Sequence, residues 1–228
     1  MLHLLKLIIK TPIIMKKSIL AIAFIALTAL SCKTEKNKVT ANEEVKDVKK
    51  VENVINSYKA NIKESTVTWK GNKPTGSHNG VVSIEKGLLD IENGVLKSGE
   101  FVIDMKSISC LDLEAGKGKE DLEDHLKKGD FFDVEKFPTA KFAVTSSEIK
   151  DSKLHVTGNL TLRGITKSIT IPATISEADG IATFKSDVFS IDRTDFGVTY
   201  KSKKIDAALK DKFINDLMEI SFEVKAQK

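Results

Sequence analysis

From Thr66 onward, apolar and polar residues alternate singly along most of the chain. Near the C-terminus Ile220, Phe222 and Val224 alternate with Glu219, Ser221, Glu223 and Lys225. Leu154, Val156, Gly158, Leu160 and Leu162 do so with His155, Thr157, Asn159, Thr161 and Arg163. The same rhythm sets Ile169, Ile171, Ala173 and Ile175 against Ser168, Thr170, Pro172 and Thr174. Phe101, Ile103 and Met105 oppose Glu100, Val102 and Asp104, and Val67 and Trp69 oppose Thr66, Thr68 and Lys70. A period of two sends the two sets to opposite faces of an extended strand, so each run predicts a strand with one apolar and one wet face. Glu92-Asn93-Gly94, Arg163-Gly164 and Ala178-Asp179-Gly180 punctuate the runs with residues that tolerate tight turns. The pattern predicts eight strands, over residues 66–71, 78–85, 95–105, 139–149, 153–163, 166–175, 181–191 and 216–226.

Long antiparallel strands with one apolar face bury it in a sandwich or in a closed barrel. Closure removes the exposed edges that invite aggregation, and the hairpin connections favour it. The expected fold is therefore all-β, an eight-stranded antiparallel barrel with two short helices, wide enough inside for packed side chains or one slim ligand. A membrane-spanning barrel would need its apolar face outward and aromatic girdles. Here Trp occurs once and Tyr twice, and the polar positions carry Lys and Glu, as a solvated exterior would. Two stretches depart from the period of two. Lys119–Lys128 puts Leu122 and Leu126 on one stripe, and Asp206 can cap a second helix with Leu209 and Phe213 four apart. Both are expected to cover barrel ends.

The N-terminal region reads differently. Met15-Lys16-Lys17 precedes an apolar run, Ser18–Leu30, which ends at Ser31-Cys32. A basic start, a short apolar run and a small residue make a secretory signal peptide over residues 1–31, with Met15 an alternative start. A cysteine at the cleavage point predicts a lipoprotein acylated on Cys32. An ordinary membrane helix is the alternative, but the run is shorter than the roughly 20 residues a bilayer core needs. Lys33, rather than Asp, after the cysteine favours the outer membrane. Residues 32–58 are rich in Lys, Glu, Val and Asn, which predicts a flexible charged tether before a barrel domain over residues 59–228; a short lysine-rich helix is the other reading. The formal charge of +4 comes from interleaved signs, which excludes the basic stripe of a nucleic-acid binder. With Cys32 acylated, Cys110 has no partner for a disulfide and is expected as a small buried residue.

Catalytic and metal motifs are sparse. His78, His125 and His155 fall in separate predicted elements, so spacing points to no metal site, and no cofactor fingerprint occurs. Asp192, Arg193 and Asp195 sit together before Gly197, where a salt bridge closing a loop competes with acid–base chemistry.

Five stretches together resemble a known family. They are Trp69-Lys70-Gly71 with Gly76-Ser77-His78-Asn79-Gly80; Phe101-Val102-Ile103-Asp104 with Ser107-Ile108; His125-Leu126 through Asp130-Phe131-Phe132-Asp133-Val134 to Phe137-Pro138; Gly158-Asn159-Leu160-Thr161-Leu162-Arg163-Gly164; and Asp192-Arg193 with Phe196-Gly197. In this order over residues 65–227 they resemble the YceI-like family of polyisoprenoid-binding, lipocalin-like proteins. The resemblance implies an extended eight-stranded lipocalin-like barrel whose hydrophobic tunnel holds a long isoprenoid or fatty chain, in an exported and non-enzymatic protein. It implies a structural role for Asp192, Arg193, Phe196 and Gly197.

The inward positions expected to line a tunnel are Trp69, Val82, Ile84, Phe101, Ile103, Phe142, Val144, Val156, Leu160, Ile171, Phe184, Ile220 and Phe222. Each buried methylene contributes roughly 0.8 kcal/mol, so a long apolar chain binds without a polar signature. The same residues could fill the barrel completely, leaving a surface interaction module, and an enzyme would need Asp192, Asp195 and His78 to converge. The expected partners are a long-chain lipid or isoprenoid, the membrane through lipidated Cys32, and a second copy in a homodimer, with no nucleic acid.

Overall fold

A computed structural model describes residues 37–46 and 56–228. Ten strands run in chain order: β1 (Asn56–Ala60), β2 (Thr66–Lys73), β3 (Gly76–Glu92), β4 (Val95–Cys110), β5 (Thr139–Lys150), β6 (Lys153–Leu162), β7 (Ile165–Ala178), β8 (Ile181–Ser186), β9 (Phe189–Asp192) and β10 (Leu217–Gln227). All pair antiparallel with their neighbours. From β2 through β8 each strand pairs with the next, except that β9 pairs only with β10. β10 closes the ring, pairing with β2 on one edge and with β8 and β9 on the other. Because β1 and β2 share one position between β3 and β10, and β8 and β9 share another, ten strands make an eight-stranded barrel.

The alternation decides which face turns inward. Val82, Ile84, Phe101, Phe142, Val156 and Ile171 are buried, while Lys and Glu side chains occupy the exterior. This is the reverse of a lipid-facing barrel. Asn93 and Gly94, at φ 53° and 73°, form the β3–β4 hairpin turn that the sequence predicts. β3 and β4 run well beyond the expected 78–85 and 95–105, because the apolar alternation continues through Leu89, Ile91 and Leu96, all without exposed surface.

Both shared positions contain a break where the backbone ladder cannot continue, and a buried serine repairs each one. Between β1 and β2, the Ser65 hydroxyl accepts from Lys225 N–H at 3.1 Å and lies 3.2 Å from the Lys225 carbonyl. Between β8 and β9, the Ser186 hydroxyl accepts from Phe222 N–H at 3.0 Å. The expected single strand over residues 181–191 is thus two strands, broken at Asp187-Val188.

That second break opens a seam. β7 and β8 pair as far as Ala173 and Ser186; beyond them β7 and β9 are joined by no ladder. Residues 37–42 fill the seam. Val39 N–H donates to Ser190 O and Ser190 N–H to Asn37 O, while Asn42 and Ser168 exchange both backbone bonds. Val39 is buried in the core cluster and Ala41 packs against it, and Asn159 binds the backbone of Val45 through both its amide oxygen and nitrogen. The flexible tether expected over residues 32–58 is therefore replaced by a docked strap over residues 37–46, and β1 begins at Asn56. Composition misreads the strap because backbone and asparagine hydrogen bonds hold it with little apolar burial. The expected signal peptide, Cys32 and the rest of the tether lie outside the described residues.

Among the described residues, the helical turns gather at one end of the barrel. α1 (Lys119–Lys127) has Leu126 on its buried face, as expected. A 3-10 turn (Arg193–Phe196) follows β9, and a second 3-10 segment (Ala207–Lys212) follows it. Asp206 caps that second segment through Ala208 N–H at 2.9 Å, but it is not the expected α-helix. Lys210 turns left-handed (φ 49°), and Leu209 and Phe213 are only half-buried, too little apolar contact to hold a regular turn. Glu123 docks α1 on the end of β4, accepting from Cys110 N–H at 2.8 Å and from the Ser109 hydroxyl at 2.9 Å.

Ser186→Ala leaves Phe222 N–H without its acceptor, and the unfolding free energy from chemical denaturation is expected to fall by about 1–3 kcal/mol. The Cys110 N–H bond, helped by Ser109 and Lys119, outweighs desolvation and holds the Glu123 carboxyl below its ordinary range. Docking of α1 is thus complete above about pH 4.3 and weakens as pH falls through the depressed value. The emission of Trp69, the single tryptophan, should red-shift there, and in Glu123→Gln the shift should already be present at neutral pH.

Candidate functional site

The barrel is packed in one half and hollow in the other. Beside the β3–β4, β5–β6 and β7–β8 turns, Leu89, Ile91, Leu96, Val156 and Phe184 are fully enclosed. Phe184 stacks on Phe101 at 5.8 Å and meets Phe222 at 4.8 Å between ring centres. Towards the helical end lies a cavity of about 180 Å³ with an apolar wall.

Trp69, Val82, Ile84, Phe101, Ile103, Phe142, Leu160, Ile171, Ile220 and Phe222 line this cavity, as their inward register predicts. Val144, Val156 and Phe184 do not: they face inward but belong to the packed half, where facing side chains leave no space. Several lining residues have interior-facing side chains yet are only half-buried, among them Ile103, Leu160, Ile220 and Phe222. Inside a closed wall, that exposure is exposure to the cavity.

The capping residues complete the lining beyond what strand periodicity shows. Leu126 comes from α1, Phe131 and Phe132 from the loop after it, and Val198 and Ile214 from the segments flanking the 3-10 turns. His125 meets the Phe131 and Tyr200 rings edge-on, each at 5.0 Å, joining α1 to the far side of the mouth. The sequence signal was the aromatic pair Phe131-Phe132 between two aspartates, apolar bulk in a stretch otherwise shaped like a loop.

Arg193 fixes this mouth. Its guanidinium is 4% exposed and donates to Val198 O (2.7 Å), Ile214 O (3.0 Å) and Asn215 O (3.1 Å), with Asp216 Oδ1 at 3.3 Å. A buried cation needs this degree of satisfaction. The salt bridge that closes the loop is therefore Arg193–Asp216, joining the turn after β9 to the start of β10. Asp192 instead accepts from Thr194 and Lys204. Burial pushes the Asp192 carboxyl up, but these donors more than offset it and hold it below the ordinary range. Phe196 is fully buried, and Gly197 closes the turn with its N–H on Thr194 O at 3.1 Å. Arg163 binds the carbonyls of both Gly197 and Gly129, tying the β6–β7 turn to the cap.

The groups an enzymatic reading needs sit in separate networks. Asp192 is held by Lys204 and Thr194, whereas His78 Nδ1 lies 2.9 Å from Asp112 Oδ2 on another wall. Near His78, Gly80 is required by close approach: a Cβ there would lie 1.9 Å from Ser109 O and 2.6 Å from Trp69 Cζ2. The indole of Trp69 thus covers Gly80, with its buried Nε1–H unpaired by any described residue.

A sequence model of the YceI-like domain matches residues 58–226. Over 81 residues the chain is 36% identical to a UPF0312 protein of Pseudomonas putida, covering 35% of this chain and 40% of that protein. Over 49 residues it is 47% identical to protein YceI of Salmonella arizonae, covering 22% and 26%. The chain thus spans less than half the length of these curated relatives. Among solved structures, BcnA of Burkholderia cenocepacia aligns with a TM-score of 0.57 at 21% identity, over 74% of this chain and 99% of that one. A polyisoprenoid-binding domain from Saccharophagus degradans, implicated in plant cell wall breakdown, aligns with a TM-score of 0.55 at 13% identity, over 75% and 97%. At such identities the structural likeness is one of fold. The domain match, by contrast, runs from within β1 almost to the end of β10, and the chain belongs to the YceI-like family.

Proposed function

We propose that this protein is an exported, lipid-anchored carrier or reservoir that holds a long-chain isoprenoid or other amphiphilic lipid in the hollow half of its barrel. The observation that carries the reading is the apolar cavity, closed at one end by Phe101, Phe184 and Phe222 and capped at the other by α1 and the Arg193 turn. Such a blind, narrow space suits one extended apolar chain, whose affinity grows by roughly 0.8 kcal/mol per buried methylene. The family, and the polyisoprenoid-binding domain with the same fold, support that class of ligand. A surface interaction module with a solid barrel would leave the cavity without a use.

The strap supports a role for the anchor. Cys32 precedes Asn37, the first described residue of the strap, by five residues. Five extended residues span at most about 18 Å. Acylation at Cys32 would therefore hold the β7–β9 seam close to a membrane surface rather than let the barrel roam on a long tether. Ile169, Phe189 and Ile191, beside that seam, are cavity-lining residues. Multiple acyl chains anchor stably where one holds only marginally. The signal-like N-terminus supports export, and Lys33 in place of Asp favours the outer membrane.

Protein purified without denaturation is expected to release an apolar lipid on solvent extraction, read by mass spectrometry. Leu160→Trp fills the cavity; excluding two methylenes of ligand contact costs about 1.6 kcal/mol, so a fluorescent fatty probe should bind somewhat more than tenfold weaker. Unchanged probe affinity in a folded Leu160→Trp protein would sink the cavity reading. Cys32→Ser should move the protein from the membrane to the soluble fraction with the thermal midpoint of the barrel unchanged. Retention at the membrane would remove the acyl anchor from the account and leave the cavity untouched.

A further inference from the structure

At the end of the β3–β4 pair remote from the hairpin turn, three side chains of different chemistry converge. His78 belongs to β3, Cys110 ends β4, and Asp112 follows two residues on. Gly80 pairs with Cys110, and Leu111 N–H binds Asn79 O, so the register places Asp112 beside His78. His78 Nδ1 lies 2.9 Å from Asp112 Oδ2, and Cys110 Sγ lies 3.2 Å from Asp112 Oδ1. One nitrogen, one sulfur and one oxygen all stand within 4.8 Å of one another.

We propose that His78, Cys110 and Asp112 bind a divalent transition-metal ion, with Zn²⁺ the ion that the ligand set fits. The site is independent of the lipid cavity. Thiolate, imidazole and carboxylate together are the donors of Zn²⁺ sites, and three protein ligands leave a fourth position for water or another oxygen. Bond lengths of about 2.0–2.3 Å around a tetrahedral ion put neighbouring ligand atoms about 3.3–3.7 Å apart. The two Asp112 separations, 2.9 Å from Oδ2 to His78 and 3.2 Å from Oδ1 to Cys110, fall just short of these values, and all three donors stand within 4.8 Å. Coordination takes up Cys110 as thiolate and releases the thiol proton to solvent, so the ion faces two negative ligands and one neutral imidazole.

The scaffold around the three groups is fixed. Asn79 N–H holds Asp112 Oδ1 at 2.8 Å, and Glu123 holds the Cys110 backbone at 2.8 Å. Cys110 is a free cysteine, and the side chains of His78 and Asp112 are 29% and 27% exposed, giving an ion a way in from solvent.

The test uses the full chain with Cys32→Ser throughout, so that Cys110 is the single thiol. Titrating the reduced, metal-free protein with Co²⁺ should give a thiolate-to-cobalt band in the near ultraviolet and strong visible bands of a tetrahedral ion. Both should saturate at one equivalent and vanish when Zn²⁺ is added. Cys110→Ser should abolish the near-ultraviolet band. Since loss of even an outer-shell partner weakens metal sites about tenfold or more, His78→Ala and Asp112→Asn should each cost at least about that factor. His155→Ala, remote on β6, should change nothing, and Trp69 emission reports that each variant is folded. Absence of the thiolate band up to millimolar Co²⁺ would overturn the proposal. So would a titration indifferent to both His78→Ala and Asp112→Asn, which would mark a thiol binding metal alone.

Discussion

Everything in this structure depends on β10 finding partners along both of its edges. A sheet of this length left open would expose a long apolar face and a row of unpaired amides. Closure is achieved only with broken strands: β1 and β2 supply one neighbour in two pieces, β8 and β9 the other. At each break a serine hydroxyl stands in for a backbone group. The packed core and the cavity both lie behind that patched wall.

The breaks also divide the interior. On the side of the hairpin turns the ring is complete and its side chains meet at van der Waals contact. On the other side β7 and β9 are joined by no ladder, and α1, loops and 3-10 turns supply the cover. Arg193 makes that cover rigid by drawing the Val198 carbonyl and the consecutive acceptors of Ile214, Asn215 and Asp216 onto one guanidinium. A planar group with five donors can do this; an ammonium, with three, could not satisfy the same set.

Much of this is legible in the sequence because a period of two maps directly onto inside and outside. The strands, though not the break at Asp187-Val188 or the full lengths of β3 and β4, and the inward residues follow from it, while the Asn93-Gly94 turn and α1 stand out as departures. It gives no depth along the barrel axis, so it cannot separate Val144, Val156 and Phe184 in the packed half from Leu160 and Ile171 in the hollow one. It also cannot carry register across bulges. Counting from Glu92–Val95 would set His78 opposite Ser109, but irregularities near residues 81–85 and 104–108 shift the pairing so that Gly80 meets Cys110. Ser107 makes one of those bulges, accepting from Ser83 N–H at 2.8 Å and donating to Asp104 O at 2.6 Å. The grouping of His78, Cys110 and Asp112 is thus a product of bulges, and spacing alone hides it. Arg193 shows the same limit: a neighbouring aspartate suggested its partner, whereas Asp216 lies across a loop.

The docked strap gives the molecule a direction in which it yields. Its hold on the wall consists chiefly of four backbone hydrogen bonds, two at Ser190 and two at Ser168, with Val39 as the main apolar plug. A tug on the N-terminal side of Asn37 loads the Ser190 pair first and the Ser168 pair after it. The ring of strands behind carries none of that load until the strap has peeled away. Force applied from the N-terminus would therefore be spent at one seam of the wall, in sequence, while the packed half of the barrel stays intact.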